Sequence, residues 1–438
     1  MEHEVVPGRK LGQFELGMIL GDALDYIQRY PVDFSRVCLK YHPMRPYGTD
    51  VTLDLDHQGF LLRFDPRQQR LRQIEVYNVQ AIGSLSFKGN VFCRPHELAT
   101  CHRVCERFGP TVPGEYCPRK RVYKLHYPGV SFFFPIPDEY ARFCPGAGSG
   151  PQEDSLFMPL EFPGGLSPVA SRIVLFCGGD PRLDAPFLPP LPRDSQYFEE
   201  VSAVVGTGIH FTARQKTVTF QSSVQDVLTA IGSPDKVFFK DTESLQLHLD
   251  QPEASCHSAS VSSDYFFNYF ALGIDLLFDQ HTHFVKKIVL HSNLPCHFDF
   301  NRYRKCNFQI INLQPVPLSN APPPPSSSSS SSSSSDPSVL SSISVPIPAD
   351  QIQERLRKLD EFQLRGWSPI NADSHWHDVM LFFPVVPGRP VVDNRGSNDN
   401  PFGPRRFYGF TDVIFEVIRN DYVASVILFS SDPLLKRT

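Results

Sequence analysis

The segment that decides the fold reads Tyr265-Phe-Phe-Asn-Tyr-Phe-Ala-Leu-Gly-Ile-Asp-Leu-Leu-Phe-Asp-Gln-His-Thr-His-Phe-Val-Lys-Lys-Ile-Val-Leu290. It holds three runs rich in the aromatic and β-branched residues that favour strands: Tyr265–Phe270, Ile274–Phe278 and Val285–Leu290. A polar turn at 279–283 joins the last two runs. We therefore predict an antiparallel meander.

A helix is predicted just before this meander. Ser223 has the character of an N-cap, and Asp226 stands three residues later, where a carboxylate meets free backbone N–H groups. One apolar face follows, and Gly232-Ser-Pro234 ends the helix. The face consists of Val224, Val227, Leu228 and Ile231.

The same order of helix and strands recurs in three other parts of the chain. The predicted helices are the apolar face of Leu20, Ala23, Leu24 and Ile27, the segment Pro95–Phe108, and the stripe of Ile352, Leu356 and Leu359. The predicted strands are Gly59–Phe64, Leu71–Val76, Val122–Tyr127, Val130–Phe134, Ile173–Phe176, Val413–Val417 and Val423–Phe429. We expect a sheet-rich α+β fold of repeated helix-plus-antiparallel-β-meander modules, with long Pro/Gly/Ser-rich loops.

This repeat predicts the domain organisation. Residues 11–200 form an N-terminal half with two modules, and residues 201–318 form the third. Residues 319–346 include the serine run Ser326 to Ser335 and are expected to be a disordered Pro/Ser linker. Residues 347–432 form a fourth module that packs on the rest, and the Gly/Pro-rich segment Pro145 to Pro168 is expected to be a surface loop.

Composition excludes several classes of protein. The net charge of −5 argues against a nucleic-acid binder, which needs a basic surface for the phosphates. The N-terminal residues carry no secretory or lipidation signal. The most apolar stretch, Tyr265 to Phe278, contains Asn268 and Asp275 and is shorter than the roughly 18 residues that a membrane span requires. Any membrane association is expected to be peripheral.

Three groups of residues resemble metal or phosphate sites without matching their spacing. Cys93, His96, Cys101, His102, Cys105 and Cys117 lie close together, but Cys101 and Cys105 share a helical face with Leu98 and Phe108 and are expected to pack in the core. The pairs His281/His283 and His375/His377 are interpreted as surface histidines. Gly146-Ala-Gly148-Ser-Gly150 has no strand before it and no helix after it. We therefore predict no metal and no cofactor.

No catalytic signature is present: the chain has no Gly-x-Ser-x-Gly elbow, Walker loop or kinase motif, and we predict that it is not an enzyme. Three short basic runs are the candidate lipid or partner contacts, provided that they gather on one face. The alternative is a set of solvated strand edges, where Lys and Arg discourage edge pairing. The runs consist of Arg119, Lys120, Arg121, Lys286, Lys287, Arg302, Arg304 and Lys305.

Four stretches resemble the phagophore assembly factor 1 family, in family order and over nearly the whole chain. The most specific is Asp264-Tyr-Phe-Phe-Asn-Tyr-Phe through Gly273-Ile-Asp-Leu-Leu-Phe-Asp279 and on to Phe300. The others are Phe14-Glu-Leu-Gly-Met18 running into Ala23-Leu-Asp-Tyr-Ile27, the segment from Ser223 to Lys240, and Asn400-Pro-Phe-Gly403 followed by Ile414-Phe-Glu-Val417. The Pro/Ser tract, the 145–168 insert and the cysteine-rich second module depart from the family pattern.

The resemblance implies a non-enzymatic regulatory or scaffold role in autophagy. It implies a WD-repeat β-propeller partner, breast carcinoma amplified sequence 3, and a cytoplasmic protein that this partner recruits to phagophore assembly sites. An alternative implied role is transport from the trans-Golgi network to the plasma membrane. A phosphoinositide- or lipid-binding protein, or a hydrolytic protein with a pocket that the sequence does not reveal, is the rival class.

Overall fold

The computed structural model describes residues 2–145, 157–178, 187–192, 195–240, 263–311, 370–383, 387–393 and 403–431. The chain divides into two compact units: Met1–Ser195 with Leu294–Cys296, and Gln196–Asn293 with His297–Thr438. Each unit contains one five-stranded and one eight-stranded sheet, so the sheet-rich character is confirmed. The expected linker at 319–346, the helix stripe of Ile352, Leu356 and Leu359, and the glycines at 146–150 lie outside the described residues.

Unit 1 builds its five-stranded sheet in the order β3-β2-β1-β8-β9 and its eight-stranded sheet in the order β10-β11-β12-β13-β7-β6-β5-β4. Its described α-helices are α1 Leu20–Arg29 and α2 Cys101–Phe108, and two 3-10 helices span Asp56–Gln58 and Asp138–Phe143. Its strands are β1 Glu2–Val6, β2 Lys10–Leu11, β3 Phe14–Glu15, β4 Cys38–Lys40, β5 Val51–Leu55, β6 Phe60–Phe64, β7 Leu71–Val76, β8 Ser84–Phe87, β9 Asn90–Cys93, β10 Glu115–Cys117, β11 Val122–Tyr127, β12 Val130–Pro135 and β13 Arg172–Phe176.

Unit 2 has the sheet orders β16-β15-β14-β21-β22 and β17-β18-β19-β20-β26-β25-β24-β23. Its described helices are α3 Val224–Ile231 and α4 Trp376–Phe382. Its strands are β14 Glu200–Val204, β15 Gly208–Phe211, β16 Lys216–Thr219, β17 Lys236–Phe239, β18 Tyr265–Tyr269, β19 Ile274–Phe278, β20 Val285–His291, β21 Asn307–Ile311, β22 Ile370–Asn371, β23 Val391–Asp393, β24 Arg405–Phe410, β25 Val413–Val417 and β26 Val423–Phe429.

The two units have the same topology. In each, the first strand pairs in parallel with a strand from the middle of the unit, β1 with β8 and β14 with β21. Each eight-stranded sheet consists of two antiparallel four-stranded meanders that meet at their last strands, β7 with β13 and β20 with β26. One set of backbone hydrogen bonds therefore runs across both halves of each eight-stranded sheet.

Each described α-helix begins beside the meander that follows it. The residue before the helix forms an isolated bridge with a residue that precedes the meander's last strand, which ties the helix N-terminus to that turn. The bridges are Ile19↔Arg70, Thr100↔Val169, Ser223↔Phe284 and His375↔Tyr422.

The N-terminus of α3 confirms the capping prediction. The Ser223 hydroxyl accepts a hydrogen bond from the Asp226 N–H at 3.3 Å, and the Asp226 carboxylate accepts one from the Ser223 N–H at 2.8 Å. These reciprocal bonds satisfy backbone donors that the first helical turn leaves free. The helix ends at Gly232, whose φ is 89°.

The core of unit 2 is formed by α3, α4, the five-stranded sheet and one face of the eight-stranded sheet. Along β19, Ile274, Leu276 and Phe278 point into this core, and their register partners on β20 are Leu290, Ile288 and Val285. The register shifts between Leu277 and Phe278, and this bulge aligns Phe278 with Val285.

Two local predictions need correction. The helix expected at Pro95–Phe108 begins only at Cys101, because Thr100 is the N-cap and accepts a hydrogen bond from the Arg103 N–H. A helix that the sequence analysis did not predict, Trp376–Phe382 with His375 as its cap, precedes the last meander, and the stripe of Ile352, Leu356 and Leu359 stays a prediction. Part of the expected surface loop packs inside unit 1, since Phe162 is buried and stacks on Tyr140 with 4.7 Å between ring centroids.

Candidate functional site

The first basic run lies in unit 1, in the turn between β10 and β11. Arg119, Lys120 and Arg121 are all exposed. Arg121 Nη1 is 2.9 Å from a carboxylate oxygen of Asp138, and both side chains are well solvated. An exposed pair of this kind contributes little to stability and leaves the turn open to solvent.

The second run lies on β20, at the bulge. Val285 and Ile288 are buried, so the two residues between them, Lys286 and Lys287, both face solvent on the side of the sheet away from the core. Lys286 Nζ is 3.0 Å from Asp264 Oδ2 and 3.2 Å from Asp279 Oδ2. Burial lowers the pKa of Lys286, but the hydrogen bonds and charges of the two carboxylates outweigh burial, so the pKa is raised overall.

Lys287 has a different environment. Partial burial, followed by the positive charges of Lys240 and Lys286, lowers the pKa of Lys287. Lys240, Lys286 and Lys287 therefore lie near one another at this end of the sheet, and the charge of Asp264 opposes the lowering only in part. The ion pairs of Asp264 and Asp279 are formed with Lys286.

The third run has mixed exposure. Arg302 is exposed and pairs with Asp299 at 3.2 Å, and Arg304 is half-buried. Lys305 does not belong to the surface: it is only 2% exposed and forms an ion pair with Asp373. Burying a lysine carries a large desolvation cost, which the attraction of Asp373 offsets in the folded chain, so Lys305 is a structural residue.

The structure keeps the two runs of unit 2 apart. Lys286 stands at the beginning of β20, whereas Tyr303 of the third run stacks on His291 at its end, with 3.8 Å between ring centroids. At 3.3 Å per residue these ends are about 16 Å apart. A binding role for the exposed members of the runs stays a prediction.

A row of polar side chains crosses the same outer face of the sheet, and the sequence did not single it out. The register places Asn268 opposite Asp275, His291 opposite Ser425 and Ser425 opposite Glu416. Arg405 stands opposite Asp393 at the far edge. The row therefore extends from β18 to β23.

Glu416 is the centre of the row and is only 4% exposed. His297 Nε2 lies 3.0 Å from its Oε1, Arg405 Nη1 donates to the same oxygen at 3.1 Å, and Ser425 Oγ donates to Oε2 at 2.5 Å. Burial pushes the pKa of Glu416 upward, but the hydrogen bonds and charges of His297, Ser425 and Arg405 outweigh it and lower the pKa to about 2.

Asp275 is the second anchor of the row. It accepts hydrogen bonds from Asn268 Nδ2 at 2.6 Å, and its other oxygen lies 2.9 Å from His291 Nε2. Tyr303 covers this group by stacking on His291 and accepts a bond from Asn268. Burial and then the Asp275 charge raise the pKa of Tyr303, so its phenol stays protonated.

The row holds residues 297–304 against the outer face of the sheet, and we call this group of side chains the clamp. Residues 297–304 carry His297, which contacts the buried Glu416 carboxylate, and Tyr303, which stacks on His291 and accepts a hydrogen bond from Asn268. The Ser425 hydroxyl donates a hydrogen bond to Glu416, and His297 contacts the same carboxylate. The geometry therefore does not pair the hydroxyl with the imidazole as nucleophile and base. The sequence did contain a signal from which the row could have been found: a charged residue inside an apolar strand, Asp275 in β19 and Glu416 in β25.

The residues weighed as metal ligands have other contacts. Cys101 is buried and Cys105 is half-buried. Interaction with the neighbouring Cys101 thiol lowers the pKa of Cys105. His283 Nδ1 is 2.8 Å from the Tyr265 hydroxyl, and His375 accepts a bond from the His377 N–H as the cap of α4. Within the ranges that the structure describes, no group of three or more His, Cys, Asp or Glu side chains could hold a metal ion.

None of the helices in the described part of the chain combines the length and the apolar character needed to cross a bilayer. Fold and site together define a strand-rich protein of two topologically equivalent units, whose clearest polar feature is a buried clamp. No solved structure matches this chain.

Comparisons with known proteins supply the family. The family model described as Phagosome assembly factor 1 (PHAF1) matches residues 10–429. A PHAF1 protein of Arabidopsis thaliana is 33% identical over 433 residues, covering 97% of this chain and 92% of the relative. One from Drosophila melanogaster is 31% identical and covers 99% and 95%, and one from Caenorhabditis elegans is 28% identical and covers 97% and 93%. The chain belongs to the PHAF1 family, which confirms the resemblance seen in the sequence. None of these names indicates an enzyme.

Proposed function

We propose that this chain is a non-enzymatic scaffold protein of autophagy. The observation that carries the proposal is the match of the Phagosome assembly factor 1 family model to residues 10–429, because that description names assembly and not a reaction. The buried clamp supports a structural role, since its carboxylates are fully engaged by neighbouring side chains.

The partner in this proposal is a WD-repeat β-propeller protein of the breast carcinoma amplified sequence 3 type. This chain is cytoplasmic and reaches the phagophore assembly site mainly through that partner. Its own exposed cations add a weak attraction, because each Lys or Arg near an anionic membrane contributes only about 1 kcal/mol. The separation of Lys286 from the third run supports this division of roles.

Direct phosphoinositide binding is the second candidate. The observation in its favour is the cluster of Lys240, Lys286 and Lys287 at one end of the sheet of unit 2. The exposed turn of Arg119 and Lys120 offers a further basic surface in unit 1.

The deciding experiment compares cells with and without the propeller protein. The tagged chain is purified by affinity and imaged at phagophore sites. We expect recovery of the propeller protein with the chain, and loss of the chain's puncta when that protein is removed. Puncta that persist without it, together with binding of the isolated chain to phosphoinositide vesicles, would establish the second candidate. Accumulation at the trans-Golgi network would instead favour the trafficking role.

We further infer that the four helix–strand segments are copies of one module. The four equivalent bridges between helix N-termini and meanders support this interpretation. So does the identical order of elements in the two units.

A further inference from the structure

Strand β17 forms one edge of the eight-stranded sheet in unit 2. It pairs with β18 on one side, and no other strand in the described residues pairs with its second side. All four of its residues are exposed. The exposed fractions are 42% for Val237, 48% for Phe238 and 61% for Phe239.

The backbone of this edge is oriented for a further strand. The Lys240 N–H donates to the Asp264 carbonyl at 2.9 Å, in register with the β17–β18 pair. Bonding alternates along an antiparallel strand, so Phe238 and Lys236 also turn their backbone groups toward β18. Val237 and Phe239 therefore direct their N–H and C=O groups away from the sheet.

The charge around the edge is positive. Lys236 and Lys240 bracket the strand, and Lys287 lies close enough to Lys240 to feel its charge. Asp264 and Asp279 are bound by Lys286, and Asp235 accepts the Phe270 N–H at 2.7 Å. In the part of the chain that the structure describes, Lys236, Lys240 and Lys287 form no ion pair with a carboxylate.

Charges, prolines or covering segments generally protect edge strands, but the lysines of this edge lie only at its two ends and leave Val237, Phe238 and Phe239 exposed between them. The equivalent sheet of unit 1 ends at β4, where Lys40 is paired with Asp54 at 2.7 Å. A lipid phase would leave the outward backbone groups of Val237 and Phe239 without hydrogen-bond partners. A peptide strand would satisfy them.

We propose that the free edge of β17 binds an extended, acidic segment of a partner protein, which adds to the sheet as a ninth strand. Backbone hydrogen bonds to Val237 and Phe239 hold the segment in register, the exposed aromatic side chains cover its apolar residues, and Lys236, Lys240 and Lys287 pair with its carboxylates. The proposal rests on strand geometry and charge and does not depend on the proposed role in autophagy.

The test uses the full-length chain and a fluorescein-labelled peptide of four Glu-Val repeats, titrated by fluorescence anisotropy. A peptide of four Lys-Val repeats is the charge control. We expect the glutamate peptide to bind and the lysine peptide to bind at least tenfold more weakly. Raising NaCl from 0.1 to 0.5 M should weaken binding of the glutamate peptide, because salt screens exposed charges.

Two kinds of variant separate backbone pairing from charge. Val237→Pro removes an outward N–H without breaking a bond to β18, so it should reduce binding about tenfold while the melting temperature stays near that of the parent chain. Phe239→Pro removes the second outward N–H, and it replaces Val237→Pro in the test if that first variant does not fold. The double variant Lys240→Glu/Lys287→Glu should also bind the glutamate peptide about tenfold more weakly, because two exposed ion pairs with the peptide are lost. Lys216→Glu, an exposed lysine on β16 in the other sheet, should bind normally.

Three results would overturn the proposal. Peptide binding that both proline variants retain would exclude strand addition. Binding to phosphatidylcholine–phosphatidylserine vesicles that Lys240→Glu/Lys287→Glu abolishes, with no binding of the glutamate peptide, would assign the surface to a membrane. A concentration-dependent dimer in sedimentation that Val237→Pro breaks would assign the edge to a second copy of this chain.

Discussion

Glu416 is the residue whose ionisation matters most for the clamp. Its pKa in the folded chain is about 2, against an ordinary value of 4.5, so the folded state binds its proton less tightly than the unfolded state. The resulting stabilisation is fully present above pH 4.5 and is lost as the pH falls through that value towards 2. At 1.36 kcal/mol per pKa unit, the contribution is about 3 kcal/mol.

The prediction is tested by urea unfolding of the parent chain and of Glu416→Gln at pH 7 and at pH 3.5. The glutamine variant should be less stable at pH 7, because His297 and Arg405 lose a buried carboxylate. The difference between the two proteins should shrink markedly at pH 3.5. A difference that is the same at both pH values would show that the Glu416 carboxylate is not held in its charged form.

At the same scale, the sequence identified charged residues but not their surroundings. Lys305 was grouped with exposed Arg302, yet it is buried because Asp373, far along the chain, reaches it. No local pattern predicts such a pair. Glu416 and Asp275 carried a usable signal, a charge inside an apolar strand, which indicates a buried polar partner.

The turn between β18 and β19 gives a prediction at the scale of the element. Gly273 has a φ of 68°, and an added Cβ would lie 2.2 Å from the Arg304 carbonyl oxygen and 2.9 Å from the Cys306 nitrogen. Gly232, at the end of α3, has a φ of 89° but no atom within 4 Å of the same position. Both sites require the positive φ that glycine adopts readily. Only Gly273 also lies where any side chain would collide with neighbouring backbone atoms.

Alanine substitution separates these two demands. Gly232→Ala should cost about 2 kcal/mol, from the backbone conformation alone, because φ 89° with ψ −169° is a region that essentially only glycine occupies. Gly273→Ala should cost about 3 kcal/mol or more, because the Arg304 carbonyl must also move. Urea unfolding at pH 7 measures both. Equal losses in the free energy of unfolding for the two variants would show that the turn accepts the alanine side chain without strain and that residues 304–306 can move away from it.

Most strands inside the meanders were predicted from the sequence, except β5 and β24, whereas the edge strands β17 and β23 were not. β19, β20, β25 and β26 bury their apolar residues and were located to within a residue. β17 and β23 stand at sheet edges, where exposed side chains remove the alternation of apolar and polar positions. β5 alternates clearly, Val-Thr-Leu-Asp-Leu, and its sequence did contain the signal.

At the scale of the whole molecule, the sequence pattern could not predict which distant strands pair with one another. The five-stranded sheets depend on the parallel pairs β1–β8 and β14–β21, whose members are separated by complete helix–strand segments. Their hairpins include strands of only two residues, β2 and β3, which have no periodicity to detect. The same limit applies to the joining of β20 to β26, which makes one sheet from two meanders.

The connection between β21 and β22 carries the last prediction. It includes the ten serines Ser326 to Ser335, which we expect from composition to contribute nothing to the core. Deleting them shortens this connection and changes its closure entropy by only about 0.2 kcal/mol. The melting temperature and the recovery of the propeller protein should therefore both be unchanged. A deletion of equal length at 297–306 is the control and should destabilise unit 2, because it removes His297, Tyr303 and Lys305. A drop of several degrees on deleting the serines would mean that this tract supports the folded state after all.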